Sequence, residues 1–243
     1  MRKNTIYGLF AMFMLPVFLV ALVSCHDDED DEMPAYHNEY GGTVEDREGN
    51  TYNWVRIGDL CWTTKNAAVG DSMIWARYDN NGLLERVFAY SSSRNRIKNN
   101  YIPVYGNLMN YDQALRSAPE GWRLPTDEDW KNLERAFGMG SDVDDRGWRG
   151  TYQSELMRDS VGTKLGLILG GAIMWNASTT IFLMELMYQD EYGYYWTSTL
   201  DEGASDDYRF AFYRKILPTT GQVYRESQRE DRYCSVRWVR DAK

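Results

Sequence analysis

The clearest periodic pattern in the chain lies at residues 127–137, where apolar side chains recur at helical spacing. Trp130, Leu133 and Phe137 stand at positions i, i+3 and i+7, so they would share one face of a helix. A Thr-x-x-Asp capping box begins at Thr126, directly after a proline that ends the preceding extended segment. This pattern predicts a helix over 127–137.

A second, shorter helix is expected over residues 111–117, and the remaining patterned segments favour strands. Aromatic and β-branched residues over 52–57 are separated from 60–62 by a Gly-Asp break, which predicts two short strands around a turn. Three further segments read as strands in the C-terminal third: 208–212, 222–225 and 235–239. Aromatic and apolar residues alternate with polar ones in these segments, as in a half-buried strand. The mixture predicts an α+β domain.

The N-terminus has the pattern of an export signal. Arg2 and Lys3 precede an apolar run from Leu9 to Val23, which is too short to cross a bilayer comfortably. The run ends in Leu-Val-Ser-Cys, which resembles the lipobox of bacterial lipoproteins. We therefore expect residues 1–24 to be a lipoprotein signal peptide and Cys25 to carry the lipid that attaches the protein to a membrane.

Six consecutive acidic residues, 27–32, follow the lipidation site. Carboxylates this close repel one another, which predicts a solvated, extended tether over residues 25–40 ahead of a single domain over 41–243. Such a block also resembles the surface-export signal of lipoproteins in the Bacteroidetes. This favours an outer-membrane lipoprotein exposed at the cell surface, and the alternative is a plain charged spacer facing the periplasm.

Charge and histidine content exclude several classes of function. The chain has 27 Lys and Arg against 36 Asp and Glu, a net charge of −9, which argues against a nucleic-acid partner. The two histidines, His26 and His37, both precede the folded body. A body without histidine cannot hold a Ser-His-Asp triad or a His-ligated zinc ion. We expect no enzymatic activity.

No motif predicts a cofactor or a metal ion. Asp142 and Asp144 imitate the start of a calcium loop, but Arg146 and Gln153 stand where further oxygen ligands belong. The glycine-rich run at 166–171 lacks the Lys-Ser/Thr of a phosphate cradle. The acidic residues at 127–129 occupy the first turn of the predicted helix, where the helix dipole favours negative charge.

Several segments, in order along the chain, resemble the Fibrobacter succinogenes major paralogous domain. They are DREGNTY (46–52), VRIG (55–58), WTTKN (62–66), YDQA (111–114), PEGWRLPT (119–126), YWTST (195–199) and SVRWVRD (235–241). The resemblance implies a single C-type-lectin-like domain, related to formylglycine-generating enzymes, with two short helices, β-hairpins and long loops. It also implies that a hairpin brings the chain ends together. It implies a cell-surface role and no particular reaction.

The cysteines depart from that family pattern. The closing motif of the family usually has a cysteine where this chain has Trp238, and this chain has Cys234 instead. Cys61 and Cys234 remain after lipidation, and they either pair, tying the first hairpin to the last strand, or stay as two separate buried thiols. A formylglycine-generating activity needs a close cysteine pair near the C-terminus, so that activity is not expected.

The segment from 200 to 233 is rich in tyrosine and arginine, the residues that recognition surfaces use most. The candidate ligand-binding residues are Tyr208, Arg209, Arg214, Tyr224, Arg225 and Arg229. We expect a non-enzymatic binding domain for a glycan or a protein ligand. The alternative is a structural or adhesin-like component of an envelope assembly. A glycosidase would need two carboxylates across a cleft, and no sequence pair indicates them.

Overall fold

The computed structural model describes residues 40–70, 75–78, 84–87, 101–176, 183–205 and 207–242. The chain divides into two units, Met1–Glu32 and Met33–Lys243, and every described residue belongs to the second. The predicted signal peptide, the lipidation site Cys25 and the acidic run all lie outside the described residues. Within the described ranges, no helix is long and apolar enough to cross a membrane.

The described residues form a mixed α+β domain, as the sequence predicts. The strands are β1 (Tyr40–Glu45), β2 (Thr51–Ile57), β3 (Leu60–Thr63), β4 (Trp75–Tyr78), β5 (Leu84–Val87), β6 (Gly147–Arg149), β7 (Ala172–Asn176), β8 (Leu183–Met187), β9 (Gly193–Leu200), β10 (Phe210–Ile216), β11 (Val223–Arg229) and β12 (Val239–Asp241). The α-helices are α1 (Ile102–Tyr105), α2 (Tyr111–Leu115), α3 (Asp127–Ala136) and α4 (Gln153–Arg158), and a 3-10 turn covers Ser141–Asp144.

Two four-stranded antiparallel sheets organise the domain. The first has the order β1-β2-β3-β12 and the second has the order β6-β11-β10-β9, while β4-β5 and β7-β8 form separate pairs. In the first sheet Val239 of β12 lies opposite Trp62 of β3. The last strand therefore pairs with the first hairpin, and the two ends of the domain meet in one sheet.

Helix α3 confirms the strongest prediction from the sequence. The Thr126 side chain accepts a hydrogen bond from the backbone N–H of Asp129, and the Asp129 side chain accepts one from the N–H of Thr126. The same reciprocal arrangement links Asn110 and Gln113 at the start of α2. Both predicted helices are present, and α2 ends two residues earlier than the prediction of 111–117.

The prediction of only two helices was wrong, because α1 and α4 are also helical. Helix α4 starts after Tyr152, whose side chain makes no capping hydrogen bond. Helix α1 is four residues long and carries Pro103 in its first turn, and it likewise has no side-chain cap. Elements this short, without a capping residue, leave no periodic signal in a sequence.

Two large hydrophobic clusters and a third, smaller one fill the interior of the described domain, and β9 contributes to both large ones. Trp196 and Trp238 belong to one cluster, while their sequence neighbours Tyr195 and Val239 belong to the other. Residues 235–239 are consequently buried at every position, so the predicted alternation of inward and outward residues there was wrong. The predicted strand over 235–239 was also wrong, because only Val239 of this segment lies in a strand, β12, and residues 236–238 belong to no regular element.

A buried network of charges joins α3 to the second sheet. Arg214 of β10 lies directly opposite Arg225 of β11, an arrangement of like charges that is unfavourable by itself. Asp127 accepts hydrogen bonds from both guanidinium groups, at 2.7 Å from Arg214 Nη1 and 2.7 Å from Arg225 Nη2. One carboxylate at the start of the helix thus holds the two arginines together.

Glu134 continues this network about two turns further along the helix. It accepts a hydrogen bond at 2.6 Å from Arg214 Nε and two at 2.9 Å from the guanidinium of Arg149 in β6. The five residues of the buried charge network are Asp127, Glu134, Arg149, Arg214 and Arg225, and all are buried. Buried ions need partners of opposite charge, because an unpaired one would lose its hydration without replacement.

Replacing Asp127 by asparagine keeps the side-chain volume but leaves Arg214 and Arg225 without their shared counter-charge. We expect the free energy of unfolding, measured by urea denaturation, to fall by about 3–5 kcal/mol, the usual cost of breaking a buried pair. Glu128→Gln is the matched control, because Glu128 is next in the helix and pairs only at the surface with Arg135 and Lys131. Its effect should stay below about 1 kcal/mol. Equal effects of the two variants would contradict the role of the network.

The same carboxylate sets how stability depends on acid. Burial raises the pKa of Asp127, but the hydrogen bonds from Arg225 and the charge of Arg214 outweigh it and hold the pKa well below its usual range. A depressed pKa contributes stability that is complete above the unfolded pKa of about 4 and is lost as pH falls through the folded pKa. We therefore expect urea midpoints to be steady from about pH 7 to 5 and to decline below about pH 4. The decline should be shallower in Asp127→Asn; an unchanged acid slope would contradict this assignment.

Candidate functional site

The structure separates the six predicted ligand-binding residues into three groups. Arg214 and Arg225 belong to the buried charge network, where their guanidinium groups bind Asp127. They are inaccessible to a ligand, so the prediction for these two was wrong. Both side chains project from β10 and β11 towards α3. The tyrosine and arginine content of a segment does not show this, because it does not reveal which face of a strand each residue occupies.

Tyr208, Arg209 and Arg229 lie together at one end of the β10–β11 hairpin. Tyr208 is 55% exposed, and the Arg229 guanidinium carbon stands 4.0 Å from its ring centroid. Carboxylates of the same chain already neutralise both arginines: Arg229 pairs with Asp231 at 2.7 Å, and Arg209 pairs with Asp112 at 3.1 Å. This group is exposed, but its positive charges are occupied.

Tyr224 lies at the other end of the hairpin, in a row that crosses the second sheet. Lys215 of β10 is opposite Tyr224 of β11, and Tyr224 is opposite Trp148 of β6. On the other side Lys215 is opposite Tyr194 of β9. Directly opposed residues project from the same face of a sheet, so these side chains form one continuous band.

The ammonium group of Lys215 is surrounded by aromatic rings. Its Nζ lies 4.3 Å from the ring centroid of Tyr224, 5.0 Å from that of Trp148 and 5.4 Å from that of Tyr192. Partial burial lowers the pKa of Lys215, and that is the one cause acting on it. Within the described part of the chain, no carboxylate forms an ion pair with this ammonium group.

A tight turn extends the band beyond Tyr192. Tyr188 and Asp190 have φ values of 62° and 64°, in the left-handed region that non-glycine residues seldom adopt. The Tyr105 hydroxyl donates a hydrogen bond to the Asp190 carboxylate, and the N–H of Tyr192 donates to the carbonyl of Tyr188. The turn presents Tyr188, which is 38% exposed and lies 5.1 Å from the ring of Tyr192.

We name these side chains the aromatic–lysine surface: Trp148, Tyr188, Tyr192, Lys215 and Tyr224. Tyr194 and Tyr213 lie on the same face of the sheet, buried and stacked with ring centroids 6.0 Å apart. Burial raises the pKa of both hydroxyls, which keeps them neutral. The surface therefore rests on a packed sheet and exposes flat ring faces beside one cation.

Sequence reasoning identified Tyr224 but not the other members of this surface. Trp148 belongs to a three-residue strand, and Lys215 is adjacent to the buried Arg214. The tyrosine-rich run from 188 to 195 was the available signal. Nothing local shows that this run meets Trp148, because the pairing of four strands from distant parts of the chain brings them together.

A concave region of about 770 Å³ lies between the first sheet and the loops before β7. Arg237 lines it, but this guanidinium is buried and already donates to Asn66 Oδ1 at 2.6 Å and to the carbonyls of Thr63 and Leu165. These bonds hold two loops against the closing segment. The arrangement indicates a structural role for Arg237.

The acidic residues that imitate a calcium loop make internal contacts. The Asp142 carboxylate accepts a hydrogen bond from the N–H of Gly150 at 2.6 Å, and Asp144 pairs with Lys131 at 2.7 Å. Across the described ranges no group of three or more His, Cys, Asp and Glu side chains is placed to hold a metal ion.

Cys61 and Cys234 are two free, buried thiols, so the pairing that the sequence left open is not formed. Cys61 lies opposite Arg240 in the first sheet, while the backbone of Cys234 bridges to Met109. Burial raises the pKa of the Cys234 thiol, and Gln228 Nε2 lies 2.9 Å from its sulfur.

Residues 55–240 match the model of the Fibrobacter succinogenes major domain. This range includes both sheets' central strands, the buried charge network and the aromatic–lysine surface. No curated protein and no solved structure matches the chain.

The buried thiols make a direct prediction about reactivity. In the unit from Met33 to Lys243, which lacks Cys25, we expect neither cysteine to react with Ellman's reagent under native conditions. A buried thiol is a poor nucleophile because the thiolate is not stabilised there. Both cysteines should react fully once the protein is unfolded without reductant. An unfolded, unreduced sample with no reactive thiol would instead reveal a disulfide.

Proposed function

Since the chain belongs to the Fibrobacter succinogenes major domain family, we propose that it is a non-enzymatic binding protein that recognises a glycan through the aromatic–lysine surface. The observation that carries this proposal is the exposed row of rings on a rigid sheet. Trp148 and Tyr188 are 39% and 38% exposed at its two ends. Large apolar side chains this exposed, and grouped in one place, mark interaction sites.

Aromatic rings suit a sugar ligand for a physical reason. One face of a sugar ring carries mainly C–H groups, which pack on the flat face of Trp or Tyr, while its hydroxyl groups remain hydrated. Because the buried Tyr194 and Tyr213 pack beside the surface, with the Tyr213 ring 6.2 Å from that of Tyr224, little side-chain freedom is lost on binding. A preformed, rigid platform is therefore available for an extended chain of sugars.

The carboxylates of the buried charge network support a binding role over a catalytic one. Asp127 and Glu134 each accept hydrogen bonds from two arginines and face the interior. A glycosidase needs two carboxyl groups facing a substrate across several ångströms, with one of them able to hold a proton. The lowered pKa of Asp127 keeps that group ionised.

The proposal includes the setting that the N-terminal sequence predicts: an outer-membrane lipoprotein, exposed at the cell surface, with a C-type-lectin-like domain. Its support is the lipobox-like sequence ending at Cys25, the acidic run at 27–32 and the meeting of β12 with the first hairpin. The tether would enter the domain at β1, an edge strand of the first sheet. The aromatic–lysine surface belongs to the second sheet.

A panel of immobilised neutral and acidic polysaccharides, with and without EDTA, tests the proposal. We expect saturable binding that EDTA does not change. Trp148→Ala and Tyr224→Ala should each weaken it at least about tenfold, which corresponds to about 1.4 kcal/mol. Tyr40→Ala is the matched control. Tyr40 is also an exposed tyrosine beside a lysine, Lys164, but it belongs to β1 in the first sheet.

The outcomes separate the competing interpretations. Loss of binding in Tyr208→Ala with none in Trp148→Ala would move the site to the opposite end of the hairpin. Absence of binding to every polysaccharide would overturn the glycan proposal. Cross-linking on intact cells would then test the alternative, a structural or adhesin-like component whose exposed rings contact an envelope protein.

A further inference from the structure

We propose that the ligand of the aromatic–lysine surface is an acidic glycan, and that a carboxylate of its sugar units pairs with the ammonium group of Lys215. This inference rests on the proposed glycan-binding function and names the class of glycan. It is carried by the geometry of Lys215: a cation placed among three ring faces, without a carboxylate partner in the described chain.

Several cations at the described surface pair with a carboxylate of the same chain. Lys131 contacts Asp144 at 2.7 Å, and Arg146 contacts Asp201 at 2.9 Å. Arg229 pairs with Asp231. In each case the chain supplies its own carboxylate. At Lys215 the neighbours are rings, which attract a cation but leave its hydrogen-bonding capacity for an anion unused.

Dehydration explains why the ligand should be anionic. Three rings already remove part of the water around the Lys215 ammonium, and a sugar lying across Trp148 and Tyr224 would remove more. A neutral sugar would impose this cost without replacing the lost hydration. A carboxylate would replace it with a charge-assisted hydrogen bond, which is stronger where water is excluded.

Shape and charge favour a carboxylated sugar chain over general capture of polyanions. Rings lie on both sides of Lys215, with Trp148 and Tyr224 towards one edge of the sheet and Tyr192 and Tyr188 towards the other. Neighbouring sugar units can stack there while the acidic group of one unit reaches the ammonium. The net charge of the chain, −9, opposes non-specific attraction of polyanions, so binding must depend on this local cation.

Three related polysaccharides provide the test: polygalacturonate, its carboxyl-reduced neutral derivative and a sulfated galactan. Their dissociation constants would be measured by calorimetry with the intact protein. We expect polygalacturonate to bind at least about tenfold more tightly than either other polymer, the equivalent of about 1.4 kcal/mol. In Lys215→Met this preference should disappear, because methionine keeps the stacking volume but removes the charge. Lys215→Arg should retain it.

Control variants keep the result interpretable. Lys164→Met removes the same charge beside a different tyrosine ring, at Tyr40, and should leave polygalacturonate binding unchanged. Trp148→Ala should weaken binding of the acidic and the neutral polymer alike. If Lys215→Met lowers the urea midpoint, Lys215→Gln takes its place.

Different outcomes of these binding measurements would contradict different parts of the proposal. Unchanged polygalacturonate binding in folded Lys215→Met or Lys215→Gln, or a preference for the neutral polymer, would overturn this inference while the proposed function stands. Equal or tighter binding of the sulfated polymer would overturn the assignment of a carboxylate. Binding of no polysaccharide would overturn both the inference and the proposed function.

Discussion

The carboxylate of Asp127 is the group on which the rest of the domain depends. It lies in the first turn of α3 and accepts hydrogen bonds from two arginines that face each other in the second sheet. Without that charge, Arg214 and Arg225 would repel at a buried position. With it, the helix and the sheet are joined by directional bonds as well as by the apolar contact of Trp130 with Tyr195 of β9. Glu134 adds the link to β6 through Arg149.

The network on one face of the second sheet also determines what the other face presents. Side chains alternate along a strand, so a β10 that directs Arg214 towards α3 must direct Lys215 to the opposite face of the sheet. The same holds for Arg225 and Tyr224 in β11. A register slip of one residue would exchange the faces of the lysine and the arginines. The charge pairing inside therefore holds the aromatic–lysine surface in place outside, although no residue of the network takes part in it.

The candidate site could be predicted from the sequence only in part. Tyrosine and arginine enrichment selected the hairpin that carries Tyr224, and it also selected Arg214 and Arg225, which are buried. The error has a physical origin: an arginine whose charge is matched by a carboxylate about ninety residues away cannot be told from a solvated one without the partner. Trp148 was missed because its neighbours in the surface are also distant in the sequence. Its role depends on pairing between β6 and β11, which are joined by no local pattern.

Local chemistry explains what the sequence by itself determined. The capping box at Thr126, the helical spacing of Trp130, Leu133 and Phe137, and the strand–turn–strand at 52–62 each involve residues a few positions apart. The order of the motifs over residues 55–240 was likewise sufficient for the family. Only the tertiary structure decided which arginines are inside, that Cys61 and Cys234 stay apart, and that Lys215 stands among rings from three segments. Those outcomes depend on strand register and burial, which arise when distant segments pack together.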